Sequence, residues 1–427
     1  MKEKYKVIGL EGLPSLYLKG TRFGCCPIIN IILKDKVDIK ALKCSVKKAK
    51  ERYLLLNCKI IRGEYNYHLE ENEKDFIIKN IPVETDRLHG KDTNDYPWLV
   101  SYYNNYLAFS FDHSLMDGVG AFEIVKTILY YYATYKGIEV DDFSGVKTLN
   151  DNIDSLLDEE MELSLENYND KSVIPLKEKQ LIKSSSIPQN KLLPEDVEKT
   201  SHRIVIDVDT LIPTLKKYET TPFAIIVPLF SRAIKHLFDE ENPVIRTETV
   251  VNYRPFVGSK TLRNFIHLAP IEYNSEKMDK LPLEMVSTIF RSILDVKLNK
   301  ENVISSITSR YENSKKLEVL PLEQKEYFVK QGVQSMNDSS FVFSYTGKIN
   351  LPKEVENLVE NIELHARVSI SPIMIEAIGY QNKLTLIIAN ELKDTSYLDK
   401  FVKILEDLSV SCTLEKIPPF PTSVFDV

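Results

Sequence analysis

The feature that most constrains the fold is a division of the chain into two halves of the same type, each alternating short apolar strands with amphipathic helices. In the first half, Pro27–Leu33 is apolar enough for a buried strand, and Val37–Tyr53 has apolar residues at helical spacing. In the second half, the strand-like His202–Val208 precedes a helix start at Thr221–Pro222, an N-cap residue followed by proline. Between them, residues 141–201 are rich in charged and amide side chains, which is typical of a long connection.

The length of the chain agrees with this division. At about 150 residues per domain, 427 residues correspond to two or three domains with sizeable cores. We assign residues 1–145 to an N-terminal lobe, 146–200 to a connection and 201–427 to a C-terminal lobe. The expected fold class is α/β, of the α+β type, with a mixed sheet covered by helices in each lobe.

Charge and hydropathy exclude several classes of protein. The 55 Lys and Arg against 62 Asp and Glu give a net charge of −7, which does not favour a phosphate backbone, so we expect no nucleic-acid partner. The longest apolar run, Phe223–Phe230, is too short for a membrane span, and Met1–Leu18 carries charges where a signal peptide is apolar. We therefore expect a cytoplasmic protein without a membrane span.

Cysteine and histidine spacings predict no metal site. The five cysteines are odd in number and lack CxxC spacing, so we expect reduced, mostly buried thiols. These are Cys25, Cys26, Cys44, Cys58 and Cys412. Six of the histidines lack a metal-binding spacing such as HExxH and are interpreted as structural or exposed. These are His68, His89, His202, His236, His267 and His365.

Two other patterns have ordinary interpretations. Gly118 and Gly120 form a GxG, but a third glycine and the βαβ context of a dinucleotide site are missing, so we expect a turn. The acidic run Asp158–Glu160 is expected to be a solvated part of the connection.

The segment His113–Gly118 combines residue types suited to catalysis. It follows an apolar strand and precedes a helical pattern at Ala121–Tyr135. A neutral imidazole at His113 can take a proton from a hydroxyl or amine as that group attacks an acyl carbon. In a tight loop, Asp117 can fix the chain through an ion pair with an arginine, and Gly118 allows close approach at the turn. The alternative is a buried, hydrogen-bonded histidine followed by an N-cap aspartate.

This segment resembles the HxxxDG motif of the chloramphenicol acetyltransferase-like superfamily. The superfamily includes nonribosomal peptide condensation domains, plant alcohol acyltransferases, bacterial alcohol acetyltransferases and polyketide-associated acyltransferases. His113, Asp117 and Gly118 match the three fixed positions. Condensation domains usually have two adjacent histidines, whereas here Asp112 precedes the histidine, so the chain looks more like the stand-alone acyltransferases.

Three later stretches extend the resemblance to the second lobe of this superfamily. They are Val250–Gly258, Asn264–Pro270 and Phe343–Pro352. His267, within the second of them, is the exception among the six histidines named above, because this stretch is expected to line a substrate tunnel.

The resemblance implies direct transfer of an acyl group from a thioester to an OH or NH acceptor, in a tunnel between the lobes and without a covalent acyl-enzyme. His113 would be the general base, with one ring nitrogen bonded to its own backbone carbonyl. The aspartate of the motif pairs with an arginine of the second lobe, and we carry this structural ion pair onto Asp117 and Arg254. Arg203, Arg246 and Arg263 remain alternatives.

The transition state needs a donor for the developing oxyanion. Ser344, Tyr345 and Thr346 are the candidates, and the sequence does not select among them. The resemblance further implies acyl-CoA as co-substrate, a small alcohol or amine as acceptor, no tightly bound cofactor, and a monomer. Two alternatives stay open: a carrier-protein-dependent enzyme of a polyketide or peptide pathway, and a catalytically silent binding protein of the same fold.

Overall fold

The computed structural model describes residues 7–8, 26–81, 88–141, 145–151, 159–162, 164–173, 183–194, 197–335, 339–368 and 370–421. The interpretations given above for Cys25 and Asp158 lie outside these residues, as does that of Met1–Leu18 apart from Val7 and Ile8.

The described elements alternate between strands and helices along both halves of the chain. The strands are β1 (Val7–Ile8), β2 (Ile28–Leu33), β3 (Cys58–Arg62), β4 (Tyr67–Glu71), β5 (Ile78–Lys79), β6 (Trp98–Tyr103), β7 (Tyr106–Phe111), β8 (Thr200–Asp207), β9 (Val244–Asn252), β10 (Ile266–Asn274), β11 (Phe341–Ile349), β12 (Val359–His365), β13 (Ile373–Tyr380), β14 (Lys383–Asn390) and β15 (Cys412–Ile417). The helices are α1 (Ile39–Arg52), α2 (Gly118–Tyr135), α3 (Ser164–Tyr168), α4 (Val208–Lys217), α5 (Pro222–Ile234), α6 (Arg254–Val257), α7 (Ser275–Met278), α8 (Leu283–Lys297), α9 (Lys300–Glu318), α10 (Leu322–Ser335), α11 (Lys353–Glu356) and α12 (Ser396–Asp407). Short 3₁₀ turns occupy Leu54–Asn57, Lys91–Thr93, Gln189–Lys191 and Lys235–Leu237.

The main helices begin where side chains can satisfy the first backbone N–H groups. Asp38 caps α1, accepting hydrogen bonds from the amides of the second and third helical residues. Thr221 caps α5, with Pro222 in the first turn, as the sequence predicts. Both helices bury an apolar face, so capping and burial favour the same start positions.

The first lobe contains a five-stranded sheet in the order β12-β2-β7-β6-β5 and a smaller sheet in the order β1-β4-β3. One face of the larger sheet packs under α1 and α2 and forms the core of this lobe. Ile29, Phe109 and Val100 lie side by side on that face, and all three are buried.

Strand β12 connects the two halves of the chain. Although Val359–His365 comes from the predicted C-terminal lobe, it pairs antiparallel with β2 at the edge of the first-lobe sheet. The next strand, β13, returns to the second-lobe sheet. The two lobes therefore share one continuous piece of backbone in addition to the connection.

The second lobe contains a seven-stranded mixed sheet in the order β10-β9-β11-β13-β14-β8-β15. Its two faces differ in character because side chains alternate along each strand. Tyr345, Ala377, Leu386 and Ile204 form a row that packs into the core under the helices. The adjacent row, on the opposite face, is more polar and runs through Ser344, Glu376, Ile387 and Arg203.

The α/β class predicted from the sequence is confirmed by these mixed, helix-covered sheets. Cys26 and Cys58 are buried, and Cys44 and Cys412 are half-buried. Within the ranges given above, no helix is both long and apolar enough to cross a membrane.

Candidate functional site

The turn that presents His113 lies between the end of β7 and the start of α2. Asp112 shapes this turn: its Oδ1 accepts a hydrogen bond from Ser114 N at 2.8 Å, and its carbonyl accepts one from Leu115 N at 3.0 Å. A carboxylate that bonds the amide two residues on closes a tight turn. His113 therefore sits on a fixed loop between two buried elements.

Asn264 contacts His113 from the second lobe. Its Nδ2 donates to the carbonyl oxygen of His113 at 2.7 Å and lies 2.8 Å from His113 Nδ1. Burial lowers the pKa of His113, while Asp117, a hydrogen bond to its own backbone and Asp112 act in the opposite direction. The lowered pKa keeps the imidazole neutral near neutral pH, the state that a base requires.

Asp117 joins the first lobe to the second. Its side chain is fully buried, and its Oδ1 caps α2 by accepting a hydrogen bond from Gly120 N at 3.0 Å. Arg254 Nη1 donates to Oδ2 at 2.8 Å and Nη2 donates to Oδ1 at 3.0 Å, while Phe265 N donates to Oδ2 at 2.8 Å. The N-cap and the ion-pair interpretations of Asp117 therefore both hold.

The guanidinium of Arg254 has an acceptor for each of its donors. Besides the two bonds to Asp117, Nε donates to Thr261 O at 2.7 Å, Nη2 to Arg263 O at 2.7 Å and Nη1 to Asn252 Oδ1 at 3.1 Å. A buried charge pair is tolerated when its remaining donors are satisfied in this way. The loop 261–263 is consequently tied to the same guanidinium as the HxxxDG segment.

The alternative arginines have other positions. Arg203 forms an ion pair with Glu363 of β12, and Arg246 pairs with Glu272 of the neighbouring strand. Arg263 offers its backbone carbonyl to Arg254. Of the four arginines considered from the sequence, the structure brings Arg254 to Asp117.

The close backbone approach expected at Gly118 occurs two residues later. A Cβ on Gly118 would meet only Leu364 Cδ2, at 4.0 Å, whereas a Cβ on Gly120 would lie 2.2 Å from Leu262 O. The expectation for Gly118 was wrong in this respect, because the helix N-terminus touches the second lobe through its third residue. Gly118 and Gly120 belong to the first turn of α2 rather than to a separate turn.

The acidic run of the connection is not simply solvated, which corrects the sequence-based interpretation. Glu160 is 3% exposed and forms a bidentate ion pair with Arg52 of α1, with distances of 2.8 and 3.0 Å. Its carbonyl accepts a hydrogen bond from Leu262 N at 2.8 Å. The pairing with Arg52 explains the burial, and Glu160 links the first lobe to the loop that also holds Arg254.

The three oxyanion candidates do not share one environment. Ser344 is buried on the polar face of the second-lobe sheet, where it hydrogen-bonds Glu376. Tyr345 points to the other face and packs into the helix-covered core, since neighbouring strand residues alternate. Thr346 lies at a register irregularity between Tyr345 and Lys348 and is half-buried. Within the described ranges, none of the three is seen in a hydrogen bond with His113.

Glu376 is a buried carboxyl beside one of these candidates. Burial raises its pKa to about 8, although the hydrogen bond with Ser344 acts in the opposite direction. Its Oε2 is buried without a hydrogen-bond partner among the described residues. At neutral pH Glu376 is therefore mostly a neutral acid.

His267 stacks on Tyr253, with ring centroids 5.6 Å apart and the planes 21° from parallel. Burial, with Arg310 and Lys297 nearby, lowers the pKa of His267 to about 3. Within the described part of the chain, no hydrogen bond or ring contact joins His267 to His113. Among the described residues, no group of three or more His, Cys, Asp and Glu is placed to hold a metal ion.

Two site residues carry no role in the sequence-based interpretation. Asn264 opens the stretch Asn264–Pro270 and contacts His113, and Asn252 stands two residues before Arg254 and accepts its hydrogen bond. A polar amide next to apolar residues in both stretches was the available signal. That signal does not show that the two amides lie close together, because only the pairing of β9 with β10 brings both to the same end of the sheet.

No family model and no curated protein sequence matches the chain. Solved structures do match, at low identity. Trichothecene 15-O-acetyltransferase from Fusarium sporotrichioides is 12% identical, with a TM-score of 0.61, and the match covers 94% of each chain.

Two further matches are similar in extent. TRI101 of F. graminearum, solved with coenzyme A and deoxynivalenol, is 11% identical with a TM-score of 0.60, covering 95% of this chain and 98% of that one. The starter condensation domain of rhizomide synthetase, a mutant solved with C8-CoA, is 10% identical with a TM-score of 0.57, covering 91% and 90%. Together with the two helix-covered sheets described above, these matches show that the chain has the two-lobed fold of these acetyltransferases and condensation domains.

Proposed function

We propose that this protein is an acyltransferase that moves an acyl group directly from an acyl-CoA thioester to an alcohol or amine, with His113 as general base. The observation that carries the proposal is the placement of His113 on a fixed turn, with its Nδ1 side occupied by Asn264 and by its own backbone. Burial also lowers the pKa of His113, which favours the neutral imidazole that a base requires. The matched structures solved with coenzyme A or an acyl-CoA support a thioester donor.

The proposed reaction uses His113 twice. The proposal requires the tautomer with its proton on Nδ1, which donates to the carbonyl of His113 itself and leaves Nε2 as the acceptor. In that tautomer Asn264 Nδ2 donates to the same carbonyl and not to Nδ1. Nε2 takes the proton of the acceptor O–H or N–H as that atom attacks the thioester carbonyl. The tetrahedral oxyanion collapses, the C–S bond breaks, and the proton on Nε2 passes to the thiolate, giving the ester or amide and free CoA. Asn264, by holding the carbonyl and ring of His113, is proposed as a positioning residue.

Asp117 and Arg254 are proposed to hold the two lobes in register rather than to touch the substrate. Their pair is buried and saturated with hydrogen bonds, so it has no donor left for a ligand. Among the oxyanion candidates we retain Ser344, which is on the polar sheet face. Gly118, with open space beside it, keeps the motif turn free of a side chain.

The test is release of free thiol from acetyl-, butyryl- and longer acyl-CoA donors against pools of alcohols and amines. We expect release that requires an acceptor and falls at least about a hundredfold in His113→Ala. His236→Ala is the matched control, because His236 is partly exposed and bonded to Asp394 in the second lobe. A loss of less than tenfold in folded His113→Ala would exclude His113 as the base.

Comparing two acyl donors, acyl-CoA and an acyl group on a carrier protein, tests the alternative of a carrier-protein-dependent enzyme. If folded wild-type protein releases no thiol from any acyl-CoA but transfers from acyl-phosphopantetheine on a carrier protein, the donor assignment is replaced and the role of His113 is retested with that donor. If neither donor is used, a non-catalytic binding protein becomes the better description.

A further inference from the structure

The residue directly before the catalytic-motif histidine is bonded to a second histidine from a distant loop. His89 Nε2 lies 2.8 Å from Asp112 Oδ2, and the side chains are 8% and 5% exposed. The other oxygen of Asp112 accepts hydrogen bonds from the backbone and side chain of Ser114. Asp112 thus bridges His89 to the turn that presents His113.

His89 is held in place at some conformational cost. Its φ is 67°, in the left-handed region that non-glycine residues seldom adopt, and its backbone N–H donates to Tyr96 O at 3.1 Å. Its Nδ1 is buried without a hydrogen-bond partner among the described residues. A strained backbone and an unpartnered ring nitrogen are tolerated where the remaining contact is needed.

We propose that His89 is a positioning residue for His113, which fixes the Asp112 carboxylate in the motif turn and offsets its negative charge beside the base. This inference rests on the proposed role of His113. His89 acts through Asp112 and has no contact with the reacting atoms. The His89–Asp112 contact fixes the turn from the first lobe, while Asn264 contacts it from the second.

The charges around His113 explain why the negative charge of Asp112 has to be offset by His89. Asp112 and Asp117 both face His113 from the first lobe, and both favour its protonated form. Asp117 is neutralised by Arg254 of the second lobe, and Asn264 from that lobe is uncharged. Burial tends to raise the pKa of Asp112, but its hydrogen bond from His89 and the bonds from Ser114 hold that pKa below its ordinary value. In a variant without His89, Ser114 still donates two hydrogen bonds to Asp112 and favours its ionised form. That carboxylate, no longer bonded to His89, would favour imidazolium at His113.

The experiment compares His89→Leu, His89→Gln and Asp112→Asn in the full chain. Leucine removes the donor, glutamine can keep an N–H near the position of Nε2, and asparagine removes the charge of Asp112 while an amide oxygen can still accept from Ser114 N. In His89→Leu, we expect the acid limb of kcat/KM to move to higher pH, with about a tenfold loss at pH 6.5 that is regained at alkaline pH. In Asp112→Asn, the limb should move to lower pH, and His89→Gln should stay near wild type.

A second readout is independent of activity. Protein labelled with ¹³C at histidine Cε1 reports the titration of His113 by NMR, and its resonance is identified by its absence in His113→Ala. The inference is overturned if neither His89→Leu nor Asp112→Asn moves that titration, or if both move it in the same direction. Wild-type protein without transferase activity would count against the proposed function, whereas His113-dependent transfer with an unmoved titration would count against the role of His89 alone.

Discussion

Arg254 and Asp117, 137 residues apart in the chain, meet in a bidentate ion pair with N–O distances of 2.8 and 3.0 Å. The pair is almost completely removed from solvent, with side-chain exposures of 9% and 0%. Asp117 also accepts hydrogen bonds from the α2 N-terminus and from the backbone of Phe265. Arg254 also donates to backbone carbonyls of the loop 261–263. The geometry of the HxxxDG turn is therefore coupled to the packing of the two lobes.

Asp117→Asn should destabilise the protein by about 3–5 kcal/mol, because it leaves the charge of Arg254 buried without its counter-ion. The measurement is the free energy of unfolding in denaturant. Asp407→Asn is the matched control, since Asp407 pairs with Lys403 on the surface, where solvent screens the pair and its loss should change stability little. A fully stable Asp117→Asn that lacks only activity would contradict the structural role.

Gly120→Ala should destabilise the fold, while Gly118→Ala should change stability little. The new Cβ at Gly120 would lie 2.2 Å from Leu262 O, so the helix or the second-lobe loop must move, at a cost of about 1–3 kcal/mol or more. At Gly118 the nearest atom is 4.0 Å away. Thermal unfolding of the two variants side by side checks this, and equal melting temperatures would refute the close approach.

Glu376→Gln should make the protein more resistant to alkaline pH. The pKa of Glu376 is raised by burial to about 8 in the folded protein, above its ordinary value of 4.5. Its contribution to stability is therefore fully present below about pH 4.5 and is lost as pH rises through about 8, at up to about 1.4 kcal/mol per pH unit. Unfolding free energies between pH 5 and 9 should fall less steeply in the variant than in wild type. The exposed Glu406→Gln should leave the slope unchanged.

The acid limb of the pH–rate profile should lie below the ordinary histidine value of 6.5, because burial disfavours the imidazolium form of His113. Activity is then retained at neutral pH and lost as pH falls through the lowered pKa. The measurement is kcat/KM with acyl-CoA over pH 5 to 8. A limb at or above the ordinary value would mean that the base is another group or that Asp112 and Asp117 outweigh burial.

Ser344→Ala and Tyr345→Phe form a matched pair, since each removes one hydroxyl from adjacent positions on opposite faces of β11. If Ser344 donates to the oxyanion, its loss should lower kcat by up to about a hundredfold with a small change in KM. Tyr345→Phe should retain the wild-type rate because that ring packs into the second-lobe core. Equal rates in both variants would remove Ser344 from the mechanism.

The strands and helices near the motif could be predicted from local patterns. Val37–Tyr53 matches α1 within two residues, because its apolar periodicity and the Asp38 cap favour the same helix. The helices Lys300–Glu318 and Leu322–Ser335 were missed, since few of their residues are apolar and their helical period is weak. Strand β12 was missed because its residues Glu363 and His365 are polar although buried.

In the site, residues with a family motif were easier to predict than residues placed by tertiary packing. The general-base role proposed for His113 rests on its chemistry and the motif, and Arg254 was selected as the arginine of the stretch Val250–Gly258. By contrast, His89 reaches Asp112 only because the loop before β6 folds over the end of β7, and the sequence shows no spacing that marks this contact. Glu160 was misread for the same reason: its partner Arg52 is 108 residues away.

The exchange of β12 into the first-lobe sheet has a consequence for any attempt to divide the protein. A fragment ending within the connection would expose one edge of Ile28–Leu33, a run of apolar residues whose backbone N–H and C=O groups β12 otherwise pairs. Exposed apolar edges recruit other strands, so we expect such a fragment to aggregate on its own and to become monodisperse when the complementary fragment is co-expressed. We therefore expect the two lobes to fold together rather than as independent domains.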